Sequence, residues 1–359
     1  MGTLRLILAL WVVMNHGARF FGAEVPQGWI AVQLFFIISG FYMSLILNEK
    51  YLTSQSNRLF YTNRFFRIFP VFWLVIVLSL AAIVTAWWGW NVRLFPLQTW
   101  VDHQSVLGWH NLPLLIGCQL TLFGQGGLMY LGFDPADGHL FPTAHFSNHD
   151  PQVWHFMVMP QAWTIELELL FYVLAPYLVR RPAKMIAWFI GGSLVLRAMI
   201  YVTVGHKDPW SHRFFPTELA LFLGGTLAYR IYRSPWREHW QAHRGIKPAL
   251  IALLGLVSIF PFIPVNGMLK AWALYPVFVV ALPFLFAWTQ AISWDREIGE
   301  LSFPVYLLHF VIVVILEKTL PPGLDAHRSL VAVAVSLAAS WLLLKGFIDP
   351  LERWRHARR

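Results

Sequence analysis

The sequence predicts an all-α, polytopic membrane helix bundle of about ten transmembrane helices, forming a single domain over residues 1–359. Hydrophobic residues make up 57% of the chain and charged residues only 13%, whereas a soluble domain carries roughly a quarter. Apolar runs of about 17–25 residues, long enough to cross a bilayer as helices, recur along the sequence. The ten predicted spans are roughly 4–21, 29–48, 69–88, 162–179, 185–204, 214–232, 248–264, 270–291, 301–319 and 328–347.

The basic residues predict the orientation of this bundle. The net charge of +9 does not indicate a nucleic-acid partner, because the charges lie in short clusters between apolar runs. Lys and Arg concentrate on the cytoplasmic side of membrane proteins, and alternate connecting segments carry most of them here. Both termini are therefore predicted to be cytoplasmic. We interpret the first apolar run as a helix and not a signal peptide, because His16 and Arg19 interrupt it.

The longest segment between predicted spans, about 89–161, is predicted to lie on the outer side. It contains an apolar stretch, Leu112 to Leu131, which we interpret as interfacial or re-entrant, because an eleventh span would place the Arg-rich C-terminus outside. The six histidines of this loop fit no compact zinc motif and have no ligating cysteines beside them, so no metal site is predicted. The single cysteine, Cys118, is interpreted as a buried hydrophobic residue.

Ionisable residues inside predicted spans are functional candidates, because each costs several kcal/mol unless it is paired or hydrated. The candidates are His16, Glu166, Glu168, Arg197 and His309. Arg5 precedes His16 by eleven residues, which at about 100° per residue returns to nearly the same helical face. We expect Arg5 and His16 to line one continuous cavity; the alternative is an interior histidine bonded to a neighbour. Glu166 is expected to be solvated or paired with Arg213.

Glu168 is predicted to lie about as deep below the outer end of its helix as His16 does. The two side chains would meet if their helices pack together. A buried carboxylate would then hold the imidazole proton in place and stabilise the imidazolium. The alternative is a structural ion pair of Glu168 with Arg19 or Arg197.

Two further groups have both a functional and a structural interpretation. Arg64 and Arg67, at positions i and i+3, share a helical face and can hold phosphates by forked hydrogen bonds. They can also form a snorkelling pair that only sets topology. His309, with Tyr306 one turn away, is either a site residue or a polar packing residue.

Six short phrases occur in order between residue 4 and about residue 312. They are Arg5 and His16 separated by ten residues in LRLILALWVVMNH, VQLFFIISGFYMS at 32–44, Arg64, Arg67 and Pro70 followed by Phe72 and Trp73, Trp163 and Thr164 with Glu168, Phe171 and Tyr172, Arg213 with Gly224, and Ser302 with Tyr306, Leu307 and His309. Together they resemble the acyltransferase 3 family of bacterial membrane enzymes that O-acylate surface polysaccharides and related acceptors. Two positions depart from the family pattern: Gln33 stands where an acidic residue is frequent, and Phe72 stands for a tyrosine.

The resemblance implies a membrane-bound O-acyltransferase, most simply an O-acetyltransferase, of the bacterial cytoplasmic (inner) membrane. Its donor would be cytoplasmic acetyl-CoA or another acyl-CoA, a substrate and not a permanently bound cofactor. Its acceptor would be a hydroxyl of a cell-envelope glycan or lipid-linked saccharide, which we expect the outer loop to contact.

With this activity, each candidate residue has an expected role. We expect Arg5, Arg64 and Arg67 to hold the anionic end of the donor. His16 is then the general base and Glu168 orients or charges its imidazole; an acetyl-histidine intermediate is the alternative route. The supporting residues are His309, Tyr306, Trp163 and Arg19.

Two other functions fit parts of the sequence. A transporter or flippase of a lipid-linked sugar also needs many spans and buried charges, but such proteins carry two related halves, and no internal symmetry is visible here. A scaffold subunit with a decayed site is the third possibility, which the intact set of Arg5, His16, Glu168 and His309 argues against.

Overall fold

The fold is a helical bundle with two short β-hairpins. The computed structural model describes residues 1–17, 19–20, 23–25, 27–52, 56–205, 208–241, 243 and 245–357. The helices are α1 Gly2–His16, α2 Gly28–Glu49, α3 Ser56–Trp90, α4 Leu97–His103, α5 Leu112–Thr121, α6 Trp163–Leu178, α7 Ala183–Thr203, α8 Phe215–Tyr232, α9 Pro235–Gln241, α10 Ile246–Ile259, α11 Gly267–Thr289, α12 Ser293–Glu300, α13 Ser302–Thr319, α14 Arg328–Leu343 and α15 Asp349–Ala357. The antiparallel hairpins pair β1 Arg19–Phe20 with β2 Ala23–Glu24, and β3 Leu131–Phe133 with β4 Leu140–Pro142.

A helix lies at each of the ten predicted spans, which confirms a helical membrane protein. Within the described residues, six helical segments are long and apolar enough to cross a bilayer by length and composition: Gly28–Glu49, Asn57–Trp90, Ala183–Thr203, Gly267–Thr289, Ser293–Thr319 and Gly323–Arg355. α1 and α10 are apolar but have only 15 and 14 residues, fewer than a straight span needs. The count of ten spans therefore stays a prediction.

α3 is longer than its apolar run. It begins at Ser56 and continues for 35 residues through Pro70, whereas the predicted span began at residue 69. The first four turns therefore carry Arg64 and Arg67 on a regular helix, so their side chains have fixed directions. Near the other end, Trp88 and Trp90 are exposed, as aromatic rings are at a membrane interface.

The centre of the bundle is the close contact of α2 with α8. A Cβ on Gly40 would lie 1.8 Å from the carbonyl oxygen of Phe222, and one on Gly225 would lie 2.0 Å from that of Ile37. Glycine at both positions lets the two backbones approach as small residues do between membrane helices. Phe222 also stacks on Phe171 of α6, with ring centroids 4.5 Å apart. These contacts fix α2, α6 and α8 around the site described below.

The outward surface of the bundle is apolar. On α7, Trp188, Val195 and Val202 have exposed fractions of 73%, 60% and 87%. A soluble protein rarely exposes such a contiguous apolar face, and lipid contact explains it.

The segment between α3 and α6 is a compact unit. α5 has ten residues, too few to cross a bilayer, so the apolar stretch that begins at Leu112 does not form an eleventh membrane-crossing helix. Side chains of Leu115, Leu128, Phe133 and Phe156 form a small hydrophobic core of this unit, so it is a folded cap on one end of the bundle.

The two ends of the bundle differ. At one end, which we term the terminal face, the carboxylate of Asp295 in α12 accepts hydrogen bonds from the backbone N–H groups of Gly2 and Thr3, at 2.7 and 2.9 Å. At the same end the ring of Trp354 in α15 lies 6.3 Å from that of Phe66. The compact unit lies at the opposite end, the loop face. The N-terminus and α15 thus share one face, and the assignment of that face to the cytoplasm stays a prediction.

Candidate active site

A cavity of about 610 Å³ opens among α1, α2, α3, α6, α11, α12 and α13. This volume is in the range of ligand sites in proteins. Its walls carry both apolar and charged side chains.

Five cations line this cavity. They are Arg5 of α1, Lys50 after α2, Arg64 and Arg67 of α3, and Arg296 of α12. None of the five forms an ion pair within the described ranges. Unpaired guanidinium groups that converge on one cavity can hold an anion by charge-assisted hydrogen bonds.

The three arginines chosen from the sequence as donor-binding residues all reach this cavity. The guanidinium of Arg64 lies 5.8 Å from the ring centres of both Phe60 and Tyr172, and its Nε atom is buried without a hydrogen-bond partner in the described part of the chain. The structure adds Lys50 and Arg296, which the sequence analysis did not select, since basic residues beside spans ordinarily only set topology.

Glu168 lies in the wall of the same cavity. Its carboxylate accepts a hydrogen bond from Ser39 of α2 at 2.7 Å and another from the hydroxyl of Tyr172, one turn further along α6. Among the described residues it forms no hydrogen bond with His16, so the predicted pairing is wrong. The reason is the rotation of α6, which turns Glu168 toward α2.

The alternative partners expected for Glu168 are elsewhere. Arg197 of α7 forms a buried ion pair with Glu218 of α8 at 2.6 Å. Arg19 lies in β1, and its side chain is outside the described part of the structure.

His16 is the last residue of α1, and its side chain is exposed at the loop face. Its ring centroid lies 5.1 Å from that of His309 of α13 and 5.9 Å from that of Phe310. His309 is fully buried, and its Nδ1 atom lies 2.6 Å from the carbonyl oxygen of Tyr306. The structure therefore brings together two histidines that are 293 positions apart.

Arg5 lines the cavity but neither His16 nor His309 does, so the expectation of one continuous cavity is corrected. Tyr306 contacts both the cavity and the histidine pair. It lines the cavity, and its ring lies 5.4 Å from that of His309. Its hydroxyl is 2.5 Å from that of Thr164 and donates to the carbonyl of Gln161 at 2.8 Å. This hydrogen-bonded pair lies in the cavity wall, and Tyr306 contacts His309 from there.

Trp163 begins α6 at the loop face. The guanidinium of Arg213 lies 4.2 Å from its ring centre, and Arg213 also donates to Asp208 at 2.7 Å. Burial opposes ionisation of Asp208, but the adjacent Arg213 and His212 hold the pKa of its carboxyl below the usual range. Burial lowers the pKa of His212 to about 4, so this histidine is neutral near pH 7.

Glu166 corrects a further expectation. It is buried, and its carboxylate accepts hydrogen bonds from the backbone N–H groups of Gly124 and Gly126, at 2.7 and 2.6 Å. It is neither solvated nor paired with Arg213, whose carboxylate partner is Asp208. Its role in the fold is to dock the compact unit onto α6.

A buried polar network surrounds Gln33. Its amide nitrogen donates to both carboxylate oxygens of Glu218, at 3.0 and 2.9 Å, and its amide oxygen accepts from the hydroxyl of Tyr275. Glu218 also accepts from Arg197 at 2.6 Å. An acidic residue at position 33 would face Glu218, and the neutral glutamine avoids that repulsion. The sequence analysis missed Glu218, although a carboxylate inside a predicted span was the signal that selected Glu168.

Comparisons with known proteins agree with the motif analysis. A family model described as an acyltransferase domain, that of the acyltransferase 3 family, matches residues 2–345. "Exopolysaccharide production protein ExoZ" of Rhizobium meliloti (strain 1021) is 25% identical over 360 residues, covering 97% of this chain and 96% of that protein. "Protein 2 in picA locus" of Rhizobium radiobacter is 33% identical over 79 residues, 22% of this chain and 41% of that protein. No solved structure matches the chain.

Proposed function

Because the chain belongs to the acyltransferase 3 family, we propose that this acyl-transferring enzyme is a membrane O-acyltransferase that acts on a glycan. Its donor is cytoplasmic acyl-CoA, acetyl-CoA in the first place, and its acceptor is a hydroxyl of an exopolysaccharide or other cell-envelope glycan. The protein lies in the bacterial inner membrane with the terminal face toward the cytoplasm.

The observation that carries this proposal is the convergence of Arg5, Arg64 and Arg67 on one cavity with no ion pair to any described residue. The phosphates of a coenzyme A thioester are anions of the kind that planar guanidinium groups bind by two parallel hydrogen bonds. The cavity begins at the terminal face, beside Gly2 and Asp295. A donor whose charged end stays at that face would extend its acyl arm toward Tyr306.

The acceptor side of the proposal is supported at the loop face. His16 is accessible to solvent there although its ring lies deep among protein atoms, so a glycan would reach it by entering a recess. The similarity over 97% of this chain to the exopolysaccharide production protein of Rhizobium meliloti favours a polysaccharide acceptor. Arg213, Trp163 and the compact unit border the same face and would contact the sugar.

The chemistry is a transesterification in which atoms and charge balance. His16 takes the proton of the acceptor hydroxyl, and the hydroxyl oxygen attacks the thioester carbonyl carbon. The C–S bond breaks, and the proton passes from the imidazolium to the leaving thiolate, giving a glycan ester and free coenzyme A. An acetyl-histidine intermediate is the alternative route: a nitrogen of His16 bonds to the acyl carbon as the C–S bond breaks, and the acceptor hydroxyl oxygen then displaces the imidazole and gives up its proton. Glu168, held by Ser39 and Tyr172, offsets part of the positive charge in the donor cavity.

The acyl arm must pass Tyr306 and Thr164 to reach His16. Their hydroxyls are only 2.5 Å apart, so the passage requires this hydrogen bond to open. Thioester and acceptor would then meet only when both substrates are bound, which would protect the donor from water.

The test is transfer of label from radioactive acetyl-CoA by the purified, detergent-solubilised protein to glycan extracted from a strain that lacks the gene. We expect the unaltered protein to label the glycan and to release coenzyme A. His16→Ala should lower transfer by about 10²-fold or more, the range that a general base contributes. His243→Ala, which changes an exposed histidine between α9 and α10, is the matched control and should keep full activity.

Two outcomes would contradict the proposal. Full transfer by His16→Ala would remove His16 from the mechanism. Failure of the unaltered protein to consume acetyl-CoA while it moves a lipid-linked sugar across vesicles would identify a flippase instead.

A further inference from the structure

His309 carries a nitrogen atom for which the described structure provides no partner. The side chain is fully buried, and its Nδ1 atom lies 2.6 Å from the carbonyl oxygen of Tyr306. A carbonyl oxygen only accepts, so Nδ1 must carry the hydrogen and Nε2 of the neutral ring presents a lone pair. That Nε2 atom is buried and has no hydrogen-bond partner within the described ranges. Buried polar atoms are nearly always bonded, so this exception requires an explanation.

The ring of His16 lies beside the ring of His309. The two imidazoles are 5.1 Å apart between centroids and inclined by 44°, which is close enough for a small rotation of the exposed His16 ring to bring an N–H group onto the buried lone pair. Hydrogen bonds between catalytic groups are commonly long in the empty enzyme and shorten in the substrate complex.

His309 is itself held in place. The carbonyl that fixes its Nδ1 belongs to Tyr306, whose hydroxyl is anchored to Gln161 and Thr164 at the start of α6. The amide of Gln161 donates in turn to the carbonyl of Leu307 at 2.9 Å. These bonds tie this turn of α13 to α6, so the ring of His309 has a fixed direction.

We propose that His309 is the positioning residue for His16. From the sequence, this role was expected of the carboxylate of Glu168. Its Nε2 accepts the N–H of His16 and fixes the tautomer whose other nitrogen takes the proton of the acceptor hydroxyl. A neutral imidazole can be this hydrogen-bond acceptor, because it brings no buried charge into the membrane. When His16 becomes an imidazolium, the same hydrogen bond becomes charge-assisted and strengthens. This inference rests on the function proposed above.

Three variants of His309 separate a positioning role from a packing role. His309→Leu keeps an apolar side chain of comparable size without an acceptor, and we expect kcat to fall about 10²-fold while the KM for acetyl-CoA stays within about twofold. His309→Gln places an amide oxygen near the position of Nε2 and should recover at least tenfold of that loss. His309→Asn reaches only the Nδ1 position and should be as slow as the leucine variant. If the leucine variant does not fold, the comparison of the Asn and Gln variants still separates a positioning role from a packing role.

Ser336→Ala is the matched control, because Ser336 of α14 is also fully buried and its hydroxyl has no partner in the described part of the chain. It should leave kcat and KM unchanged.

Two results would overturn the inference. One is a leucine variant with unaltered kcat. The other is equal loss in the Gln and Asn variants together with lost acetyl-CoA binding, measured by equilibrium dialysis, which would make His309 a packing residue. The His16→Ala variant distinguishes this inference from the proposed function. If His16→Ala is inactive and His309→Leu is active, the positioning role of His309 is rejected and the role of His16 is kept.

Discussion

At the scale of single residues, the cavity depends on how guanidinium groups are presented. Arg64 and Arg67 come from successive turns of α3, and Arg5 comes from the first turns of α1. Each has five N–H donors in a rigid plane, whereas lysine offers a compact point charge on a flexible stem. The shape of the side chain as well as its charge should therefore determine donor affinity.

Arg5→Lys should raise the KM for acetyl-CoA by about tenfold, because loss of one charge-assisted hydrogen bond costs roughly 1.5 kcal/mol or more. We expect kcat to change little, since Arg5 lies outside the histidine pair. Steady-state kinetics with varied acetyl-CoA give both constants. Arg233→Lys, which alters an exposed arginine, is the control. An unchanged KM in Arg5→Lys would exclude Arg5 from the donor site.

At the scale of helices, buried polar contacts fix the packing of α7 and α8. Arg197 and Glu218 form an ion pair at 2.6 Å with side-chain exposures of 3% and 0%, and Gln33 links the same carboxylate to α2. Removing one partner of a buried pair leaves an uncompensated charge, whereas replacing both by apolar residues is often tolerated. The network therefore holds three helices in one rotation.

Glu218→Leu should lower the free energy of unfolding by about 3 kcal/mol or more, and adding Arg197→Met should restore much of that loss. Thermal unfolding of the detergent-solubilised protein measures both changes. Glu49→Ala, which breaks an exposed pair of 3.8 Å with Arg233, should shift stability by no more than about 1 kcal/mol. A double variant less stable than Glu218→Leu would show that the network stabilises the bundle beyond charge compensation.

At the scale of the whole molecule, the two faces of the bundle have different chemistry. The terminal face holds the cations of the cavity, and the loop face holds the exposed imidazole of His16. The proposed function, with its donor on one side and its acceptor on the other, requires this arrangement across the bilayer. The orientation of the two faces is therefore the property to measure.

Cysteine labelling measures it, because Cys118 is the single cysteine of the chain. In a Cys118→Ser background, a cysteine replacing Trp109, 81% exposed at the loop face, should react with a membrane-impermeant maleimide in intact spheroplasts. One replacing Trp294, 56% exposed at the terminal face, should react only after permeabilisation. Labelling of position 294 in intact spheroplasts would reverse the predicted topology.

The sequence by itself determined where the helices lie and selected three of the basic residues, Arg5, Arg64 and Arg67, that line the cavity. Both depend on local information: the length of apolar runs, the i and i+3 spacing of Arg64 and Arg67, and the eleven-residue interval from Arg5 to His16. The starting point of α3 was missed because its first turns are polar and helical, a combination that a search for apolar runs does not detect.

Only the tertiary structure decided which polar groups meet. Glu168 accepts hydrogen bonds from Ser39 and Tyr172, and Glu166 accepts them from a glycine-rich loop. The ring of His16 contacts His309, on a helix near the other end of the chain. A helix that is apolar on all sides has no hydrophobic face to indicate its rotation in the bundle. That rotation follows from packing between distant segments, such as the glycine contacts of α2 with α8, and it determines which buried polar atoms find partners.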